Sequence, residues 1–206
     1  MATAVWLSAT VFIQAPTQHD VVQHLRERAR RWAPSQIDSI GALVFERAAA
    51  LDLDPELVVA VMAVESDFRV RARSRAGAVG LMQIMPTTGR GFARRADVYW
   101  RGPRTLYDPE ANIRIGTQYL RWLLDRFRGD QALALTAYCH GIGAVRRRLR
   151  TQDGLSRRTL RYSRKVQRRL DGLRSIRTQR PIFRPAAYRP DPTPQRRRRR
   201  RFRAGL

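Results

Sequence analysis

The sequence predicts a mainly α fold: one helical domain followed by a disordered, basic C-terminal tail. Apolar residues recur at three- and four-residue spacing between residues 20 and 173. No stretch keeps for long the two-residue alternation of a half-buried strand. From Pro181 to Pro194 five of fourteen residues are proline, and the run QRRRRRRFR follows, so neither piece can build a core. A chain of 206 residues that is 43% apolar suffices for a single well-filled core. The expected organisation is an N-terminal segment over 1–34, a folded domain over 35–176 and the tail over 177–206.

At the N-terminus, Ala4 to Ala15 is apolar and uncharged but too short to span a bilayer. It is similar to the core of an export signal yet lacks the positively charged start, so export and an ordinary buried segment both stay open. Asp20 to Trp32 puts Val21, Leu25 and Arg28 on one helical face, with Pro34 as the stop. Ser35 is the expected cap of a second helix running to about Leu51, with Ile37, Ile40, Val44 and Ala48 facing inward. A third helix starts on Asp54 as N-cap, with Pro55 at the first position and Glu56 in the positive first turn. It is apolar nearly all round, which predicts that it is the buried one.

Pro86 to Arg95 reads as a short helix. Residues 108–127 form a longer one, striped by Ile113, Ile115, Tyr119, Leu120, Leu123, Leu124 and Phe127. Asp130 caps a helix that stops at Gly141 and Gly143, and the segments 144–150 and 156–173 are helical and very basic.

The net charge of +24 is unevenly placed: residues 1–141 carry 18 Arg against 14 acids, and 142–206 carry 22 Arg and Lys165 against 3 acids. Arg196 to Arg201 are expected to be either merely solvated or in contact with anionic envelope polymers or lipid headgroups. Phe202 is the aromatic beside the run, so specific nucleic-acid readout is not expected. The single cysteine, Cys139, excludes an internal disulfide framework and a cysteine-ligated zinc site. It neither requires nor excludes an oxidising compartment. His19 and His24 are expected at solvated helix positions, and the expectation is a monomer without metal or cofactor.

The most informative stretch is VMAVESDFRVRARSRAGAVGLMQIMP, residues 61–86. Glu65 closes the apolar helix and is therefore partly desolvated. Desolvation penalises the charged form and raises a carboxyl pKa, which suits a general acid near neutral pH. On spacing alone, a helix-terminal glutamate paired with Arg69 or Arg71 accounts for the same residue. Hydrolytic glycosidases normally flank the scissile bond with two carboxylates. Asp67 is the only acid close by in sequence, and two positions further along a helix it points roughly 200° away from Glu65. Cys139 beside His140 makes a poor thiol dyad, because adjacent side chains point in different directions.

In order and spacing, ESDF, RARSRAGAVGLMQIMPTT, NIRIGTQYL, AYCHGIGAV and RYSRKV resemble the successive motifs of the soluble lytic murein transglycosylase family, the SLT domain, across residues 35 to 173. The central block is highly specific, and the weaker outer motifs gain weight from their order. The resemblance implies a lysozyme-like, goose-type helical fold acting on peptidoglycan in the bacterial periplasm or envelope. It implies cleavage of the β-1,4 bond between N-acetylmuramic acid and N-acetylglucosamine, leaving a 1,6-anhydro end. Glu65 would first protonate the leaving oxygen and then, as carboxylate, take a proton from the muramic C6 hydroxyl.

By the same resemblance Ser74 lies near the acetamido groups and Gln83 and Met85 contact saccharide, while Tyr138 lines the groove and Tyr162 bonds the catalytic carboxyl. Without it, Ser74 is a polar loop residue and the two tyrosines are amphipathic core residues; Met82 is read as core. Where the family shows Ala-Tyr-Asn-Ala-Gly, this chain has Ala137, Tyr138, Cys139, His140 and Gly141, which removes an amide donor and acceptor from the groove. The alternatives are a hydrolytic muramidase and a weakly active wall- or nucleic-acid-binding protein on the same scaffold.

Overall fold

The computed structural model describes residues 15–151 and 155–178. The export-signal reading of Ala4 to Ala15 lies outside the described residues except for Ala15, as does the arginine-rich tail beyond Thr178. The described residues form eight α-helices: α1 Gln18–Arg28, α2 Pro34–Ala50, α3 Pro55–Glu65, α4 Pro86–Phe92, α5 Pro109–Arg126, α6 Gln131–His140, α7 Ile142–Arg150 and α8 Arg161–Thr178. Two 3₁₀ turns, Arg94–Ala96 and Pro103–Tyr107, lie between α4 and α5. Among the described residues β structure is limited to two isolated antiparallel bridges, Arg73 with Val79 and Val79 with Ile84. None of the described helices is long and apolar enough to cross a membrane.

The capping chemistry explains most helix starts. Asp54, Asp108 and Asp130 each accept a backbone N–H in the first turn of α3, α5 and α6. Thr17 and Asp20 form a reciprocal capping box on α1. Several boundaries differ from expectation: α4 ends at Phe92 instead of Arg95, α7 begins at Ile142 instead of 144, and α8 spans Arg161–Thr178 instead of 156–173, reaching two residues into the expected tail. Helix α1 ends at Arg28 instead of Trp32, because the indole of Trp32 is drawn inward to donate to the Phe68 carbonyl at 2.9 Å. Helix α2 begins at Pro34, with Ala33 at the cap. Ser35 is therefore not the cap; the missing N–H of proline suits the first helical position.

Helix α3 is the centre of the fold. Every residue from Pro55 to Met62 is buried, and α1, α2 and α8 all pack against it. Fully burying a Val or Met side chain stabilises by about 1.5–3 kcal/mol, so this helix anchors the core and holds its C-terminal Glu65 in a fixed place. Its first turn corrects a second expectation. His24 is not solvated but 1% exposed, with Nε2 3.3 Å from Oε1 of the buried Glu56. A buried carboxylate needs partners, and α1 and α8 deliver them from distant parts of the chain. Arg174 of α8 reaches Asp54 at 2.5 Å and Glu56 at 3.8 Å, pinning the end of α8 to the start of α3.

Candidate active site

Glu65 is the last residue of α3, with Ser66 as the C-cap. Asp67 and Phe68 follow with φ of 50° and 59°, so the chain leaves the helix through two left-handed residues. Asp67 thus lies beyond the helix instead of on it. It lines a separate small cleft with Arg28, Arg31, Trp32 and Phe68, so it still faces away from Glu65 chemistry.

Helix α8 runs back along α3 and brings Tyr162 to Glu65, 97 residues away in sequence. The tyrosine hydroxyl donates to Oε1 at 2.5 Å. Burial raises the Glu65 pKa to about 7, against the lowering effects of the Tyr162 bond and the Lys165 charge. Among the described residues no arginine pairs with Glu65; the Arg69 guanidinium donates instead to the Ser66 carbonyl at 2.9 Å. Burial, and next the Glu65 charge, push the Tyr162 hydroxyl well above the ordinary tyrosine range, so it stays a donor.

Beside this pair the tyrosines form a wall. The rings of Tyr138 and Tyr162 stack 6.5 Å apart at 6°, and Tyr119 tilts against Tyr138 at 5.2 Å. The wall borders a cleft of about 270 Å³ lined also by Gln83, Met85, Thr88 and the Cys139–Gly141 turn. The structure therefore brings Gln83, Met85 and Tyr138 together in one cleft, with Glu65 and Tyr162 adjoining it. Met85 is 39% exposed, whereas Met82 is buried. The Tyr138 hydroxyl is engaged by the Met82 carbonyl at 2.8 Å, so it is the ring that this residue offers to a ligand.

The loop between α3 and α4 is held by its own polar groups. Gln83, at φ 48°, donates its amide to the carbonyls of Gly80 at 2.9 Å and Ala72 at 3.2 Å, leaving the amide oxygen for a ligand. Ser74 accepts from the Ala78 N–H at 3.0 Å and closes the turn containing Gly77. It does not line the cleft. Gly80 is required by its φ of 81° and because a Cβ there would collide with Asn112 and the Leu106 carbonyl.

Asn112 is the most consequential residue that the sequence reading missed. Fully buried on α5, it accepts from the Met82 N–H at 2.8 Å and donates to the carbonyls of Val79 and Leu106 at 2.9 Å each. A polar side chain inside an apolar helix stripe was the available signal. By spacing Tyr119 is a stripe residue of α5 and Lys165 a basic-helix residue, yet Tyr119 lines the cleft and the Lys165 charge acts on Glu65.

Cys139 is free and solvent-exposed, but partial desolvation of its thiol, then the Glu65 charge, raise its pKa and disfavour a thiolate. Among the described residues no group of three or more His, Cys, Asp or Glu side chains could hold a metal ion.

The family model of the transglycosylase SLT domain matches residues 42–160, more than half of the chain and all of α3 to α7. The chain belongs to this family. Among relatives of this SLT domain, the soluble lytic murein transglycosylase of Salmonella typhimurium is 38% identical over 96 residues, covering 46% of this chain and 15% of that protein. The membrane-bound lytic murein transglycosylase C of Actinobacillus pleuropneumoniae is 36% identical over 134 residues, covering 61% and 34%. The chain therefore spans about a third or less of the length of these relatives.

Among solved structures, an inactive glutamate-to-glutamine mutant of the lytic transglycosylase Slt of Pseudomonas aeruginosa superposes with a TM-score of 0.61 at 27% identity, covering 78% of this chain and 28% of that one. The 70 kDa soluble lytic transglycosylase of Escherichia coli gives 0.62 at 22% identity, over 80% and 32%, a likeness of fold. The lysozyme-like helical fold class expected from the sequence is the one observed.

Proposed function

We propose that the protein is a lytic transglycosylase that cleaves peptidoglycan strands, with Glu65 as its single acid and base. The reading is supported above all by one observation: a carboxyl whose pKa is raised to about 7 at the end of a buried helix, hydrogen-bonded by Tyr162 beside an aromatic cleft. A group near neutrality is partly protonated and partly charged at working pH, which suits one residue that must both give and take a proton.

With Oε1 accepting from Tyr162, Oε2 carries the proton. In the first step Oε2 donates it to the glycosidic oxygen between muramic acid and glucosamine as that bond breaks. The carboxylate left behind is stabilised by the Tyr162 donor and the nearby Lys165 charge, since bonds to a charged acceptor are stronger than neutral ones. It then takes the proton of the muramic C6 hydroxyl while that oxygen bonds to C1, which closes the 1,6-anhydro ring and restores neutral Glu65. Gln83, Met85 and the Tyr138 ring hold the sugars in the adjoining cleft, and Ser74 acts on them through the loop that it closes. Cys139 stands where the family pattern has an asparagine amide, and His140 where it has an alanine, so saccharide binding on that side depends more on the tyrosine rings and on Gln83.

A catalytic domain over 35–176, with α1 packed against it and α8 continuing to Thr178, suits this role, and so does placement in the bacterial periplasm or envelope. The exposed arginines of α7 and α8, such as Arg147, Arg150, Arg161 and Arg168, favour adhesion to anionic envelope polymers beside the cleft.

Paired substitutions test the single-carboxyl mechanism. Glu65→Gln is expected to lose about two to four orders of magnitude in product release while staying folded, and Asp67→Asn to lose little. Equal loss in both folded proteins means two carboxylates act, as in a hydrolytic muramidase.

A further inference from the structure

Glu65 and its donor Tyr162 sit on different helices, so the 2.5 Å bond between them depends on how α8 lies along α3. Helix α8 packs on α3 and buries Val166, Leu170 and Leu173. Apolar burial is non-directional and tolerates a small slide of one helix on the other. A hydrogen bond this short is lost over a shift of about 1 Å. Gln131 and Thr136 of α6 hold α8 through Gln167 at 2.9 Å and Ser163 at 3.3 Å, but α6 does not carry the acid.

A second polar contact joins α8 directly to α3 at the opposite end. Arg174 lies about 18 Å beyond Tyr162 along α8, and Glu56 lies about 14 Å back from Glu65 along α3. The two antiparallel helices are thus fastened at both ends, by Tyr162 on Glu65 and by Arg174 on Asp54 at 2.5 Å and Glu56 at 3.8 Å. Glu56 is fully buried, with His24 of α1 at Oε1 and the Arg174 Nε at Oε2. Asp54 also caps the first turn of α3 through the Glu56 N–H at 2.8 Å. A planar guanidinium meets carboxylates with a preferred direction as well as a preferred distance, which apolar packing does not supply. Arg174 therefore grips the first turn of the helix whose last residue is the acid.

We propose that Arg174 is a positioning residue for the reaction: by holding Asp54 and Glu56 it sets the register of α8 on α3, and so keeps the Tyr162 hydroxyl on Glu65 and Lys165 nearby. The inference rests on the transglycosylase reading for what Glu65 does, but not for the contact itself. Tyr162 and Lys165 of α8 and Tyr138 and Cys139 of α6 all interact electrostatically with Glu65, and the two on α8 favour its charged form. Loosening α8 withdraws both, so the carboxyl pKa rises and the carboxylate formed in the first proton transfer loses support.

The test follows the Glu65 carboxyl by carbon NMR in protein labelled at its glutamate carboxyls, the signal being assigned by its absence in Glu65→Gln. Arg174→Met removes the guanidinium. Asp54→Asn is a milder variant, because asparagine still caps α3 while the ion pair is lost. Val44→Ala, at a buried position on α2, is the control for a general loss of stability. From a midpoint of about 7 in the parent, Arg174→Met is expected to raise the titration by about half a pH unit to one unit, part of what losing the whole bond would do. Asp54→Asn should raise it less and Val44→Ala not at all. In a Tyr162→Phe background, Arg174→Met should move the midpoint by less than half as much. On soluble peptidoglycan strands kcat for Arg174→Met should fall about threefold to tenfold with KM little changed. Unmoved midpoints in the folded Arg174→Met and Asp54→Asn proteins overturn the proposal. So do an equal shift in Val44→Ala and an equal shift with and without the Tyr162 hydroxyl. If Arg174→Met does not fold, Asp54→Asn decides by the same criterion. If the midpoints move as expected but the parent cuts no strand, the transglycosylase reading falls and the positioning role stands. If the parent cuts strands and the midpoints stay, the reverse follows.

Discussion

Replacing Tyr162 with phenylalanine removes one hydroxyl from the site and keeps the ring that stacks on Tyr138. The lost bond is 2.5 Å long and favours the charged form of Glu65, so its removal raises the carboxyl pKa above the present value of about 7. Hydrogen bonds to charged groups contribute about 1.5–3 kcal/mol. At 1.36 kcal/mol per pH unit this corresponds to about one to two pH units. The first step needs protonated Glu65, so kcat/KM declines as pH rises through its pKa, and in Tyr162→Phe that decline is expected about one to two pH units higher. At pH 6 the rate should also fall, by about tenfold to a hundredfold, because the carboxylate formed in the first transfer has lost its donor. The assay is a pH–rate profile of soluble product released from purified sacculi, with thermal melts to check the fold. An alkaline limb that stays in place or moves to lower pH refutes the assigned role of Tyr162.

Three further outcomes follow from the same geometry. Because folding raises the Glu65 pKa from 4.5 to about 7, its contribution to stability is complete below about pH 4.5 and is lost as pH rises through 7, a difference of about 3 kcal/mol. Glu65→Gln is always neutral, so its melting temperature should fall less between pH 5 and pH 8 than that of the parent; identical pH dependence contradicts the shift. Asn112→Ala strands the Met82 N–H and two carbonyls in the core, at a cost of about 3 kcal/mol or more, read from denaturant midpoints; a loss below about 1 kcal/mol contradicts its role as the loop anchor. Truncation after Arg177 removes the six consecutive arginines Arg196 to Arg201 and should weaken adsorption to sacculi at low salt in a pelleting assay, while salt-independent adsorption contradicts an electrostatic tether.

What could be read from the chain was mostly local. The Asp54-Pro55-Glu56 start of α3 and its unbroken apolar run announce a buried helix ending in a glutamate, because caps and hydrophobic spacing act within one or two turns. The failures lie where distant segments meet. Nothing near His24 signals that Glu56, 32 residues on, will bury it, and a polar residue on an amphipathic helix reads as solvated until its partner is known. Ser35 lost the cap to a competing local signal one residue earlier, the proline at the first helical position. Asn112 and Tyr119 sit in the apolar stripe of α5, where spacing assigns a face but not a function. The match of a tyrosine in RYSRKV to Glu65 came from the order of motifs, since periodicity alone leaves Tyr162 an ordinary core residue.

The most direct test of the central claim is the chemistry of the ends that the protein leaves. Purified sacculi digested with the full chain and analysed by mass spectrometry should release muropeptides ending in 1,6-anhydro-muramic acid, and Glu65→Gln should release almost none. Reducing muramic ends, heavier by one water, would instead assign the protein to hydrolysis and contradict a mechanism in which the C6 hydroxyl takes the place of water.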